Sequence, residues 1–217
     1  MREEHIAVPK SARYATLGTP GSGTTQLWVV CHGYGQLAPR FLRRFEVLDD
    51  GSRWIVAPEG LSRYYADHAS GLVGASWMTK EDRLTDISDY VRYLNLLGDR
   101  LFGRIEREAV GLVGLGFSQG CHTITRWATL GDARLDRLIL WGGSVPPDLD
   151  LEEHGDRLSA ARLTIVVGHS DEYVTDAVIE RERARLDEAG VAHSLVTYDG
   201  GHELDDAVLL ELAGETS

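Results

Sequence analysis

The chain has 217 residues, 24 of them glycine, and a formal net charge of −12. That length suits one domain, residues 1–217, able to bury roughly 70% of its unfolded surface, while the acidic surplus excludes nucleic acid or an anionic membrane as partner, since both demand a basic face. With two cysteines in all, Cys31 and Cys121, a disulfide framework is excluded as well, and small buried thiols in a reducing compartment are expected.

The first residues, Met1 to His5, are charged and lead into no long apolar run. No signal peptide or membrane span is expected, and the reading is a cytoplasmic protein. Strand-like segments at residues 13–17 and 26–31 come first with no helix between them, so one or both are expected as antiparallel additions at a sheet edge. Behind the second lies His32-Gly33-Tyr34-Gly35-Gln36, where glycine lets backbone approach a bound molecule. Each cysteine is followed by a histidine, but adjacent Cys-His pairs diverge, and structural zinc takes two ligands within a few residues on each side. No metal is expected.

A third strand at 53–57 leads into residues 61–78, long and without a clear period. Irregular segments of that length inside compact domains are more often functional than neutral. Tyr64, Tyr65, Trp77 and Met78 are expected to line a substrate pocket there. Arg63, Lys80 and Arg83 offer charge for an anionic substrate group, with surface solvation as their plainer role. Thr79-Lys80-Glu81-Asp82 reads as a helix start with Thr79 capping and Asp82 reaching back. Leu84, Ile87, Val91 and Leu94 then follow helical spacing.

The segment 109–115 is short, branched and glycine-rich, as a buried strand should be. It runs into Gly116-Phe117-Ser118-Gln119-Gly120 and then a helical stretch, Cys121 to Leu130, with Ile124 and Trp127 on one face. A Gly-x-Ser-x-Gly turn between strand and helix forces the serine into a sharp bend with its hydroxyl exposed. Further strands fall at 137–141, 163–167 and 192–198, with a helix at about 175–189 ended by Gly190. Strands alternating with helices specify an α/β fold, a mostly parallel central sheet with helices on both faces.

A serine hydroxyl becomes a strong nucleophile when a histidine takes its proton and an acid fixes that histidine's tautomer. In doubly wound sheets such groups sit beyond the carboxyl ends of strands. Asp171 meets that rule after the 163–167 strand. Asp148 and Asp150 lie farther along their loop, and Asp199 lies too near the best histidine. His202, after the last strand and two glycines, outranks His169, His193, His154 and His5. An oxyanion also needs backbone donors: the Gln119 N–H after the serine, and the Tyr34 N–H in the early glycine loop. The order Ser118, Asp171, His202 is that of α/β-hydrolases.

These motifs resemble the phospholipase/carboxylesterase family of α/β-hydrolases, which includes small bacterial carboxylesterases and acyl-protein thioesterases. The resemblance rests on His32-Gly33-Tyr34-Gly35, Pro58-Glu59-Gly60, Ser76-Trp77, Gly116-Phe117-Ser118-Gln119-Gly120, Gly168-His169-Ser170-Asp171-Glu172-Tyr173-Val174 and Gly201-His202-Glu203, in family order. It implies an α/β-hydrolase fold with no large lid domain, the triad Ser118, Asp171 and His202, oxyanion donors Tyr34 and Gln119, and no cofactor. Relatives can pair as homodimers that cover the active-site face. Met78 and Thr79 stand where acyl-protein thioesterases commonly carry phenylalanine and aspartate, and Thr175 where proline is frequent, which weakens protein depalmitoylation as the specific activity.

The expected activity is hydrolysis of small-molecule carboxylic esters through an acyl-enzyme. The same residues would serve an acyl thioesterase or lysophospholipase. Dienelactone hydrolases typically use cysteine where Ser118 stands. A non-catalytic ligand-binding hydrolase fold is the distant alternative, disfavoured because every triad position carries a competent residue.

Overall fold

The computed structural model describes residues 1–214; the last three residues of the domain expected over 1–217 lie outside the described residues. In chain order come β1 (Tyr14–Leu17), β2 (Gln26–Cys31), α1 (Ala38–Leu42), a 3-10 turn (Arg43–Leu48) and β3 (Arg53–Pro58). A hairpin of β4 (Ser62–Asp67) and β5 (Leu72–Ser76) precedes the long helix α2 (Arg83–Phe102). The remainder alternates as β6 (Gly111–Phe117), α3 (Gln119–Leu130), β7 (Arg137–Trp141), α4 (Leu151–Ala160), β8 (Leu163–Gly168), α5 (Asp176–Glu188), β9 (His193–Tyr198) and α6 (Asp206–Gly214).

Seven strands form the central sheet in the order β1-β3-β2-β6-β7-β8-β9. Only the edge strand β1 is antiparallel, against β3; the other pairings are parallel. Such strands are buried on both faces, which is why they read as continuous apolar runs. Alternate side chains still sort by face. Leu27, Val29 and Cys31 join the core under α2, α3, α4 and α5. Trp28 and Val30 join the core beneath α1 and α6.

The chain reverses direction across the sheet between β2 and β6, where Cys31 pairs with Gly116. In open α/β sheets the crevice beyond the carboxyl ends at such a switch point is where ligands bind. The loop after β2 and the turn after β6 are therefore side by side.

Two expectations are corrected. Residues 61–78 are not an irregular loop: β4 and β5 pair antiparallel from Ser62↔Ser76 to Asp67↔Leu72. Most of β4 is exposed, so no apolar alternation announced it. The start of α2 also lies later than expected. Asp82 has φ 49° and the helix begins at Arg83. Thr79 instead accepts from the Glu81 N–H through Oγ1, and its own N–H goes to Asp86. Helices α1, α4 and α6 were not among the expected elements. Among the described residues no helix is long and apolar enough to cross a membrane.

The two faces of α2 give a direct check. Leu94 is fully buried in the core whereas Leu96 is 64% exposed. Leu94→Ala should lower the unfolding free energy by about 2–5 kcal/mol and Leu96→Ala by less than about 0.5 kcal/mol, read from urea denaturation.

Candidate active site

Ser118 is the single residue between the end of β6 and the start of α3, held at φ 53° and ψ −117°. A non-glycine residue pays about 1–3 kcal/mol in such a region, and the surroundings must enforce it. They do so by leaving no room. A methyl group on Gly120 would overlap the Cys31 carbonyl, and one on Gly116 would overlap the Gly120 carbonyl. The Ser118 N–H donates to the Trp141 carbonyl at 2.9 Å, and its carbonyl accepts from Cys121 N–H at 2.9 Å. The hydroxyl makes no hydrogen bond among the described residues.

Asp171 follows β8 and His202 follows β9, and the two meet. The Asp171 Oδ2–His202 Nδ1 distance is 2.7 Å. A carboxylate can only accept, so Nδ1 carries the proton and Nε2 presents its lone pair. The carboxylate side chain is 1% exposed. Burial opposes its ionisation, but bonds from His202 and from the Val174 and Tyr173 N–H groups hold the carboxyl below the usual range. The imidazole lies between the rings of Phe117 and Tyr173, at 4.9 and 4.8 Å between centroids. Gly142, at φ 59°, completes the enclosure; a Cβ there would fall 2.9 Å from His202 Cε1. Its neighbour Gly143 packs on the Ser118 carbonyl.

The loop after β2 lies against the serine. An added Cβ on Gly33 would sit 3.2 Å from Ser118 Cβ. Inside the loop, His32 is fully buried, its Nε2 accepting from Gly60 N–H at 3.0 Å. Its proton is therefore on Nδ1, which donates to the Gly33 carbonyl at 2.8 Å. Burial, above all, lowers the imidazole pKa, against the opposing effects of that bond and the Glu59 charge. In a trans peptide C=O and N–H point oppositely, so a Gly33 carbonyl fixed inward turns the Tyr34 N–H outward. That N–H donates to no described residue. Gln119 opens α3, so its N–H belongs to the unpaired donors at a helix start.

The hairpin braces this loop from behind. Gly35 N–H donates to the Ala75 carbonyl at 2.9 Å, and Gly74 packs on the Gly35 backbone. The Gln119 side chain ties the two together: its Oε1 accepts from Trp77 N–H at 3.1 Å and its Nε2 donates to the Met78 carbonyl at 2.9 Å. Glu59, 2% exposed, takes a bidentate pair from Arg13 and the N–H of Ala38 at the start of α1.

The residues expected to line a substrate pocket separate. Tyr64 stacks on the exposed Tyr34 ring, 5.4 Å between centroids. Tyr65 turns outward beside His68. Trp77 is buried, with its indole N–H on the His32 carbonyl, so it supports the loop from within. Half-buried Met78 sets its sulfur 3.6 Å from Arg126 Nη1. Arg63 lies beside Glu59, Arg83 pairs with Asp148, and Lys80 is exposed. The rejected acids have other partners: Asp148 holds Arg126, Asp150 caps α4, and Asp199 faces His169. His154, ranked below His202, is mostly covered, its side chain 13% exposed. A cavity of about 800 Å³ lies between the N-terminal segment and α2, with Trp77 and Leu61 in its wall, and neither Ser118 nor His202 lines it.

The contributions of His32, Gly142 and the Gln119 amide were not foreseen. The last two gave no signal beyond their place after a strand.

No protein-family model and no curated protein sequence matches the chain. Solved structures do. The chain is similar to acyl-protein thioesterase 2 of Zea mays, with a TM-score of 0.71 at 18% identity over 94% of this chain and 96% of that one. It is similar to a carboxylesterase of Bacillus cereus, TM-score 0.65, 16% identity, 93% and 92% covered. It is also similar to a phospholipase/carboxylesterase from Dyadobacter fermentans, TM-score 0.66, 17% identity, 96% and 98% covered. The fold is that of the α/β-hydrolases.

Protonation of half-buried His122 and buried His32 gives a testable pH dependence. Burial first, then the Arg126 charge, lowers His122 from 6.5 to about 4, and His32 is lowered too. The unfolded chain then binds more protons between the lowered values and 6.5, so stability rises with pH through that window. It is fully present above the window and lost below it. The urea midpoint should fall between pH 7 and about pH 4.5, and His122→Gln should flatten that slope; an unchanged slope would contradict the assignment.

Proposed function

We propose that the protein is a serine carboxylesterase of the phospholipase/carboxylesterase kind, hydrolysing small-molecule esters through an acyl-enzyme. The supporting observation is the Asp171–His202 pair, its Nε2 unoccupied by the acid, together with a serine held at φ 53° at the start of α3. Ser118 Oγ attacks the ester carbonyl as His202 Nε2 takes its proton. Asp171 keeps the proton on Nδ1 and stabilises the imidazolium that forms. The carbonyl oxygen gains charge in front of the Tyr34 and Gln119 N–H groups, with the positive end of α3 behind them.

The imidazolium then protonates the departing alcohol, breaking the C–O bond and leaving the acyl group on Ser118. Water enters, gives a proton to the same Nε2, and attacks the acyl carbonyl. Collapse releases the acid and returns the proton to Ser118. In the resting enzyme the hydroxyl and imidazole are not hydrogen-bonded, as is common before substrate arrives. We assign the stacked Tyr34 and Tyr64 rings and Met78, whose carbonyl the Gln119 amide holds, to substrate contact. No cofactor takes part in these steps. The two free buried thiols support a reducing, cytoplasmic setting.

Ser118→Ala should reduce p-nitrophenyl acetate hydrolysis by roughly 10⁴-fold or more while the thermal transition stays in place. Retained turnover would sink the mechanism. Parallel rates on short esters, acyl thioesters and lysolipids decide the leaving group, because the attack on the carbonyl is common to all three.

A further inference from the structure

The mechanism uses the ring of His202, but nothing in it explains how the backbone carrying that ring is held. The chain between β9 and His202 contains two successive glycines, Gly200 and Gly201, and glycine restricts a backbone least. A general base must nevertheless stay within hydrogen-bond reach of the atom it serves.

The ends of two strands meet beneath this loop. Tyr198 is the last residue of β9 and Trp141 the last of β7. Both are buried, their rings 5.6 Å apart. The Trp141 indole N–H reaches the Glu203 carbonyl at 2.8 Å and the Tyr198 hydroxyl oxygen at 3.1 Å. The Tyr198 hydroxyl stands 2.9 Å from the Gly201 carbonyl and 2.5 Å from the Glu203 carbonyl. These two carbonyls flank His202 on either side. Burial raises the Tyr198 phenol pKa, so the hydroxyl keeps the proton it donates.

The same loop is confined from its other face. A Cβ on Gly168, at the end of β8, would overlap the Gly200 carbonyl and approach the Gly201 carbonyl at 2.6 Å. Any side chain on Gly200 would strike the Tyr198 ring. The loop therefore passes between β8 and the Tyr198 ring with no slack. A phenylalanine at position 198 would fill the same space. A buried hydroxyl is tolerated where it finds partners, and here both acceptors are the backbone of the His202 loop.

We infer that Tyr198, through its hydroxyl and with the Trp141 indole N–H, is a positioning residue for His202. It fixes the two peptide groups beside the base, while Asp171 fixes the ring. This rests on His202 being the base that activates Ser118. The device acts on the chemical steps and leaves substrate contacts alone, so its loss should appear in kcat with KM unchanged.

The test is Tyr198→Phe, which removes one oxygen. On p-nitrophenyl acetate kcat should fall by about 5- to 30-fold, the span of one to two neutral hydrogen bonds, with KM within twofold. Labelling of Ser118 by a fluorophosphonate should slow in step, since it needs the same base. Tyr93→Phe is the control for a purely structural loss. Its hydroxyl donates to the Arg13 carbonyl at 3.0 Å, next to β1 at the sheet edge opposite β9, and kcat should stay at the wild-type value. Should Tyr198→Phe fail to fold, Trp141→Phe removes the other donor and should show the same kcat loss at constant KM. Wild-type kcat and labelling rate in a folded Tyr198→Phe, or a loss carried by KM, overturns the inference. An active Ser118→Ala would instead overturn the underlying catalytic reading, so the two failures are distinct.

Discussion

The arrangement at the top of the sheet depends on how closely the first turn of α3 fits against the end of β2. Gly120 lies on the Cys31 carbonyl with no space for a methyl group, and Gly116 lies on Gly120. Parallel pairing of β2 with β6 in the register Cys31↔Gly116 sets this approach. Because interiors close-pack and transmit small displacements, one extra carbon would push α3 outward. The start of α3 would then move away from the loop after β2, whose Gly33 packs against Ser118. The strained serine and the loop after β2 both take their spacing from that contact.

Above it, each loop is held by a core side chain bonded to its backbone. His32 and Trp77 take the carbonyl and N–H groups around Gly33 and Gly60. The Gln119 amide stands in for a peptide unit and secures residues 76–78. Tyr198 and Trp141 do the same for the segment after β9. A loop whose backbone groups are turned inward must find partners there. Meeting that demand with rigid aromatic and imidazole rings also fixes where the remaining N–H groups point.

The seven strands of the central sheet were legible because burial on both faces leaves continuous apolar runs. The placing of Ser118, Asp171 and His202 beyond the ends of β6, β8 and β9 was legible because each follows such a run. What escaped had weak local signals. Strand β4 carries Arg63, Tyr64, Tyr65 and Asp67 with most of it in solvent, so neither face wrote an apolar pattern. The start of α2 was misplaced because Asp82 adopts a left-handed conformation, which a capping pattern does not foretell. Trp77 read as a pocket residue by type, yet its N–H partner, the His32 carbonyl, lies 45 residues away in sequence.

The nearly all-parallel sheet has a consequence for how the molecule is made. Every neighbouring parallel pair needs a crossover, so contacts join distant segments and folding is expected to be slow. The ends of β2, β6, β8 and β9 each border the crevice, and of these only β8 and β9 are consecutive, paired strands joined by one helix. A nascent or truncated chain lacking β9 would have the bent serine segment without the loop that carries His202. On the mechanism proposed above, catalytic competence is therefore a property of the finished sheet.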